Sequence, residues 1–282
     1  MKVLMVGSGS GSWQMRGVQL GAAMGARVVS DPSDQDIRWA DVVVLVKRAG
    51  TRHAQRVRAV GRPLVWDALD CWHQPAMHRY TETQALTWLK SQIDFIRPDV
   101  TIGATEAMAR AVSGVYLPHH GWAGLRPTPA RETVKMVAYE GNPMYLGKWA
   151  GAIRAACEKR GWQFVLNPPD LSQADILVAF RDGQWDGWMC RQWKSGVKLV
   201  NAICAGRPIL TQPCAAADEL KPSGMVLDDV SEVGAALDVC GVLDVRERAV
   251  ELSRNDAVRF DVQAIAVRYQ AILAEQVPAC AR

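Results

Sequence analysis

The sequence predicts an α/β protein built as two Rossmann-like domains facing each other across a cleft. Three observations carry that expectation. Short apolar runs without polar alternation recur along the chain, among them Val3-Leu4-Met5-Val6 and Val42-Val43-Val44-Leu45-Val46, and such runs suit strands of a parallel sheet covered on both faces. Amphipathic stretches of helical period separate them. A segment rich in Gly and Pro, Gly121 to Arg131, then interrupts the pattern, which restarts beyond it. The expected domains are residues 1–131 and 132–282.

The first strand, residues 3–6, runs into Gly7-Ser8-Gly9-Ser10-Gly11-Ser12 and a helix starting near Trp13. A strand, a Gly-rich turn and a helix start make a polar-ligand site from backbone N–H groups, so Gly9 and Gly11 are candidate ligand contacts. A dinucleotide fingerprint needs Gly at 7, 9 and 12, and position 12 is Ser. Arg16, one turn into the helix, either meets an acidic group or is solvated. Asp31 follows a second short strand, residues 27–29, at the distance of a ribose-binding acid. Asp34-Gln35-Asp36 matches a D-x-D metal motif, but its turn-like setting reads as a solvated loop.

Further strands are expected at 41–46, 63–66, 100–103 and 115–118, with a helix over 82–96. Asp67, Asp70 and His73 fall just past a strand end, where α/β folds collect ligands; with Trp13 they are the acceptor-side candidates. His119-His120 suggests metal, yet adjacent residues of an extended chain point to opposite sides, and no third ligand presents itself. An interdomain loop is the preferred reading, and no metal site is expected.

In the second half, strands are expected at 134–139, 163–166, 174–180, 209–210 and 225–227, with helices over 144–160, 245–253 and 260–275. The central element is Val197 to Ala205. At helical period, Val197, Leu199, Val200, Ile203 and Cys204 fill a broad apolar arc, leaving Lys198, Asn201, Ala202 and Ala205 on a narrow one. A cation, an amide and two small residues there leave room for a ligand close to the backbone. Gly206 suits the helix C-terminus. Arg181 leaves a strand end shortly before this helix.

The chain of 282 residues, 49% hydrophobic, can bury a large core. No apolar run approaches the roughly 20 residues that span a bilayer, and the N-terminus lacks a signal-peptide layout. Seven scattered Cys without a C-x-x-C pair point away from zinc and from a disulfide framework, toward a reducing cytoplasm. A net charge of +4, dispersed rather than in blocks, allows nucleic-acid contact without requiring it. Of eleven Trp, those at 13, 72, 122, 185 and 188 fall in expected loops, where aromatic faces can stack on sugars or bases.

The run Lys198-Leu199-Val200-Asn201-Ala202-Ile203-Cys204-Ala205-Gly206-Arg207-Pro208-Ile209 resembles the donor-binding segment of GT-B-fold nucleotide-sugar glycosyltransferases of the retaining type, K-L-x-N-A-x-A-x-G-x-P-I followed by a loop ending in Glu, here Glu219. The resemblance implies a GT-B fold in which 1–131 is the acceptor-side domain, 132–282 binds a nucleotide sugar such as a UDP-sugar, and the last helices cross back onto the first domain. It implies that Lys198 and Arg181 meet the donor diphosphate, that Gly141 approaches the donor, and that Asn201 and Glu219 sit near ribose or sugar. Trp193 and Asn201 stand where many relatives carry Glu. Transfer to a hydroxyl with retention follows, without a metal or other cofactor. The acceptor is either a hydroxymethylated base in DNA, as for phage-type enzymes, or a small molecule or glycan. An NAD(P)-binding oxidoreductase resting on Gly7, Gly9 and Asp31, and a non-catalytic nucleotide-sugar binder, are the alternatives.

Overall fold

The computed structural model describes residues 1–9, 11–48, 51–70 and 72–277, and the chain divides into two compact units. The first takes Met1–His120, Gln192–Ser195 and Asp261–Arg282; the second takes Gly121–Arg191 and Gly196–Phe260. Leu125, within the Gly/Pro segment, packs with Ala138, Leu199 and Phe260 in a core of the second unit.

The first unit holds a six-stranded parallel sheet of order β2-β1-β3-β4-β5-β6. Its strands are β1 (Val3–Val6), β2 (Arg27–Val29), β3 (Val42–Val46), β4 (Leu64–Asp67), β5 (Val100–Gly103) and β6 (Val115–Tyr116). β1 and β3 are buried throughout and pair Leu4 with Val43 and Met5 with Val44, so their unbroken apolar runs are explained by cover on both faces. Part of that cover comes from the far end of the chain. Ile265, Ala266, Tyr269 and Leu273 of helix Val262–Gln276 share one core with Val3, Met5, Val42 and Val44. The helix Glu82–Ile96 starts in a capping box, Thr81 with Gln84, and ends at Arg97 in the left-handed region. The D-x-D motif is not a loop. Asp34–Trp39 is a helix, and Asp36 closes a capping box with Ser33, accepting from the Ser33 N–H at 2.9 Å.

The second unit repeats the plan with a five-stranded parallel sheet of order β11-β10-β9-β7-β8. Here β7 is Met136–Tyr139, β8 Gln163–Leu166, β9 Ile176–Ala179, β10 Ile209–Thr211 and β11 Gly224–Val226. The helix expected over 144–160 is broken into a short 3-10 turn, Pro143–Tyr145, and an α-helix, Lys148–Glu158. Gly147 between them has φ +49°, and a Cβ there would lie 2.4 Å from the Asp182 carboxylate, which accepts the Lys148 N–H at 2.9 Å. The helix start is thus set by a side chain 34 positions downstream. Trp149 stacks on Phe180 at 4.0 Å between ring centroids, within a core that includes Ile153, Val178 and Leu237. Each such fully buried side chain contributes about 1.5–3 kcal/mol.

The second core of this unit lies around helix Val197–Ala205, which is capped by Gly206 at φ +68°. The narrow arc expected to face a ligand is not open. Leu199 through Ala205 are all buried, Asn201, Ala202 and Ala205 completely. Neighbours close over it: Asn201 meets Trp122 and Glu140, helix Leu243–Asp256 packs on the same helix, and a Cβ on Gly206 would already touch Pro127 and Val250. Only the first turn, Val197 and Lys198, remains partly open.

Candidate functional site

Each sheet, counted in its own chain order, reads 2-1-3-4-5, with a sixth edge strand in the first unit. In open parallel sheets ligands gather outside the carboxyl ends of the strands where the order reverses. In the second unit that place lies past β7 and β9, at Glu140-Gly141 and at Arg181.

Lys198 is brought there by the first turn of its helix. Its ammonium sits 3.8 Å over the ring of Tyr139, and a Cβ on Gly141 would stand 3.1 Å from Nζ. Gly141, at φ +124°, therefore serves both a turn open mainly to glycine and the close passage of the lysine. Asn167 pins this turn by accepting from the Gly141 N–H at 2.6 Å and donating to its carbonyl at 3.0 Å. Arg181 lies over the Tyr145 ring at 4.5 Å, and its backbone N–H donates to Gln212. Beside it is a small cavity of about 90 Å³ walled by Lys148, Arg181, Asp182, Gln212 and Asp228 among others.

The two predicted cations meet. Burial, and next the positive charge of Arg181, push the Lys198 ammonium down to about 7, with Glu140 pulling the other way. No side chain caps the start of helix Val197–Ala205 at Gly196, so its first N–H groups and positive dipole end add to the field. Two positive side chains and a helix start at one strand-end turn make a field that favours an anion.

Asn201 takes a different role from the one expected. Fully buried, it accepts from the Trp122 N–H at 2.9 Å and donates to Glu140 Oε2 at 2.8 Å. Its amide is spent inside the unit and does not face a sugar. Glu219 stands on the short helix Ala215–Leu220, half-buried, close enough to Cys214 for its charge to help hold the thiol protonated, which burial chiefly does.

In the first unit the Gly-rich loop follows β1, with Gly9 at φ +106° and Gly11 at φ +56°, both exposed; Ser10 lies outside the described residues. Trp13 is not an exposed acceptor platform. It is buried on a π-helical turn, Trp13–Gln19, because Gly7 and Gly17 make room for its indole: Cβ atoms there would lie 2.6 and 2.1 Å from the ring.

Asp67 is likewise structural. It is fully buried, paired with Arg16 Nε at 2.7 Å and accepting from the Tyr269 hydroxyl at 3.0 Å, while Arg16 donates its remaining N–H groups to Pro118 and Leu117 carbonyls. Of the two readings of Arg16, the acidic partner is the one realised. Asp70 is buried between two ammonium groups, Lys47 at 2.8 Å and Lys194. His73 is exposed beside Arg48, at 3.3 Å.

His119 and His120 are both buried. His120 meets Gln19 at 3.1 Å and burial lowers it to about 4; His119, which burial and Arg16 hold well below the ordinary range, has no partner at either ring nitrogen. Among the described residues no group of three His, Cys, Asp or Glu is placed to hold a metal. No helix of the described residues is long and apolar enough to cross a membrane.

Asp31, the acid of the oxidoreductase alternative, is largely exposed and pairs with Arg56 at 3.6 Å. The strand order also differs from the 3-2-1-4-5-6 order of the dinucleotide-binding fold. Glu140 was not singled out from sequence, although its place directly after a strand was the available signal.

No known protein-family profile matches the chain, and no curated protein matches it in sequence. Solved structures do match in shape. Anabaena HepE, determined with UDP and glucose, is 13% identical and superposes over 97% of this chain and 99% of its own with a TM-score of 0.70. The trehalose-6-phosphate synthase OtsA is 11% identical, over 99% and 100%, with a TM-score of 0.68. A trehalose-6-phosphate synthase studied for glycosyl transfer with retention is 14% identical, over 94% and 84%, at 0.58. The fold is GT-B. Within GT-B terms, Lys198 and Arg181 lie in the second Rossmann-like unit, and the Gly-rich loop in the first.

Proposed function

We propose that this GT-B protein is a glycosyltransferase that moves a sugar from a nucleotide-sugar donor to a hydroxyl acceptor. The observation that carries the reading is the pair Lys198 and Arg181, gathered with an uncapped helix start at the carboxyl ends of β7 and β9; among the described residues no carboxylate is ion-paired to Lys198. A diphosphate is an anion of the size and charge that the two side chains can grip together. As the bond from the anomeric carbon to the phosphate oxygen breaks, charge grows on the departing nucleotide, and two cations fixed in advance stabilise it without rearrangement. The acceptor oxygen forms the new bond to the anomeric carbon, and its proton passes to the solvent or to the leaving phosphate.

Retention with no separate protein base is the stereochemical part of the proposal. It is supported by the state of the acidic candidates, since Asp67 and Asp70 are both locked in buried ion pairs. It is also supported by the likeness to a synthase studied for retention. Metal independence belongs to the same reading, the cations taking the place of a divalent ion.

The test is nucleotide release and product anomer with UDP- and GDP-sugars against saccharide acceptors and hydroxymethylated DNA. Lys198→Ala and Arg181→Ala should each lower turnover roughly a hundredfold or more. Near-wild-type rates in both variants would remove this site, and an inverted product would promote exposed His73 to the base.

A further inference from the structure

A second cavity of this unit is larger than the one beside Arg181. It measures about 480 Å³ and is walled by Trp122, Leu125, Glu140, Pro168, Asp170 and Leu171 with their neighbours. Trp122 is the one tryptophan whose side chain is exposed, at 46%. Yet its backbone is firmly held: its N–H donates to Asn201, and its carbonyl accepts from the Leu125 N–H at 3.0 Å in a tight turn closed by Gly124 at φ +86°. Gly121 sits so close to helix Val197–Ala205 that a Cβ would meet Cys204 Sγ at 2.4 Å. An aromatic face offered to solvent from a rigid mount is a stacking surface whose ordering cost has already been met by the fold.

The same buried amide that holds Trp122 also orients Glu140, by donating to Oε2 at 2.8 Å. Asn201 thus couples an aromatic wall to a carboxylate wall, and Glu140 Oε1 is left to accept from a ligand. Asp170 adds a second carboxylate, steadied by the Ser172 N–H and hydroxyl at 2.8 Å each. No Lys, Arg or His lines the cavity, which disfavours a phosphate there.

We propose that this cavity is a saccharide subsite in which a neutral pyranose ring stacks its C–H face on Trp122 and donates hydroxyl hydrogen bonds to Glu140 and Asp170. Its place in a reaction rests on the glycosyltransferase reading; its binding of a ring does not. The ring is either the sugar of the donor or part of a saccharide acceptor, and the experiment separates the two.

Saturation-transfer NMR on the full chain would use methyl glycosides of glucose, galactose, mannose and N-acetylglucosamine, with and without UDP, and also UDP-glucose and GDP-mannose. At least one pyranose ring should take up saturation in the wild type. Its Kd should rise roughly tenfold in Trp122→Ala and in Glu140→Gln, the size expected for losing one aromatic face or one charge-assisted hydrogen bond. Trp122→Phe should recover part of the loss. Thermal melts confirm that the variants fold, and the exposed ring makes Trp122→Ala the safer of the two. Saturation confined to the nucleotide sugars assigns the ring to the donor; a free glycoside that binds with UDP present assigns it to the acceptor. If no pyranose saturates in any arm, or if saturation is undiminished in Trp122→Ala, the subsite is refuted. A glycoside that binds at Trp122 without any sugar transfer would sink the enzymatic reading and leave the subsite standing.

Discussion

Lys198 offers the sharpest test, because its charge is poised. Burial and Arg181 bring the ammonium from an ordinary value of 10.5 to about 7. Between those two pH values the unfolded chain holds a proton that the folded chain has released, so the stability of the unliganded protein should rise with pH across that window. A diphosphate reverses the preference, since an anion about 4 Å from the ammonium favours the charged form by about 4 kcal/mol at the effective dielectric of such sites. Binding at pH 8 must then draw a proton from solution. With a free-state value of about 7, roughly 0.9 of the lysines are neutral at pH 8, so about 0.9 proton should be taken up per UDP or GDP bound. Titration calorimetry in two buffers of different ionisation enthalpy counts that proton, and at this pH the nucleotide itself is already fully ionised. Affinity should fall toward tenfold per pH unit above about 7.5. In Lys198→Arg, which keeps its charge, the uptake should vanish and the affinity should stay level from pH 7 to 9. Wild-type binding without proton uptake, or uptake that persists in Lys198→Ala, would refute the assignment.

Three further outcomes follow from the geometry. Arg16→Leu leaves Asp67 buried without its cation and should cost about 3–5 kcal/mol of stability, read as a lower Tm or denaturant midpoint; an unchanged midpoint would show that Asp67 is not the buried structural acid described above. Gly17→Ala would set a Cβ 2.1 Å from the Trp13 ring and should cost about 1–3 kcal/mol by overpacking, whereas Gly25→Ala meets no atom within 4 Å and is limited to its left-handed backbone strain, about 1–2 kcal/mol. A Gly17→Ala variant as stable as wild type in urea titration would contradict the role assigned to Gly17. Turnover should be indifferent to EDTA if Lys198 and Arg181 carry the leaving-group charge, and loss of activity restored by a divalent ion would show that a metal shares it.

Much of the architecture is local and was legible. Strand residues 163–166, 100–103 and 27–29 and helix 82–96 stand where their apolar pattern and capping residues put them. The nearness of Lys198 to Arg181 also follows from local position, one just past a strand end and the other in the first turn of a helix. Elsewhere pattern misled. A narrow polar arc with two alanines looks like an open ligand face, yet Asn201, Ala202 and Ala205 are fully buried, Asn201 against Trp122 and Glu140, as the period of one helix cannot show. A Trp just after a Gly-rich loop looks like an exposed platform, but Gly7 and Gly17 are small so that Trp13 can be buried.

What the sequence alone determined is therefore the succession of elements and the residues at their ends, since those depend on neighbours a few positions away. Only the tertiary structure decided which side chains are consumed by one another. Arg16 meets Asp67 across 51 positions and Tyr269 reaches the same carboxylate across 202, and Asn201 joins Trp122 to Glu140 over 79 and 61. A charged or amide group is available to a ligand only if no such distant partner has claimed it, and that is set by the packing of whole units rather than by any stretch of chain.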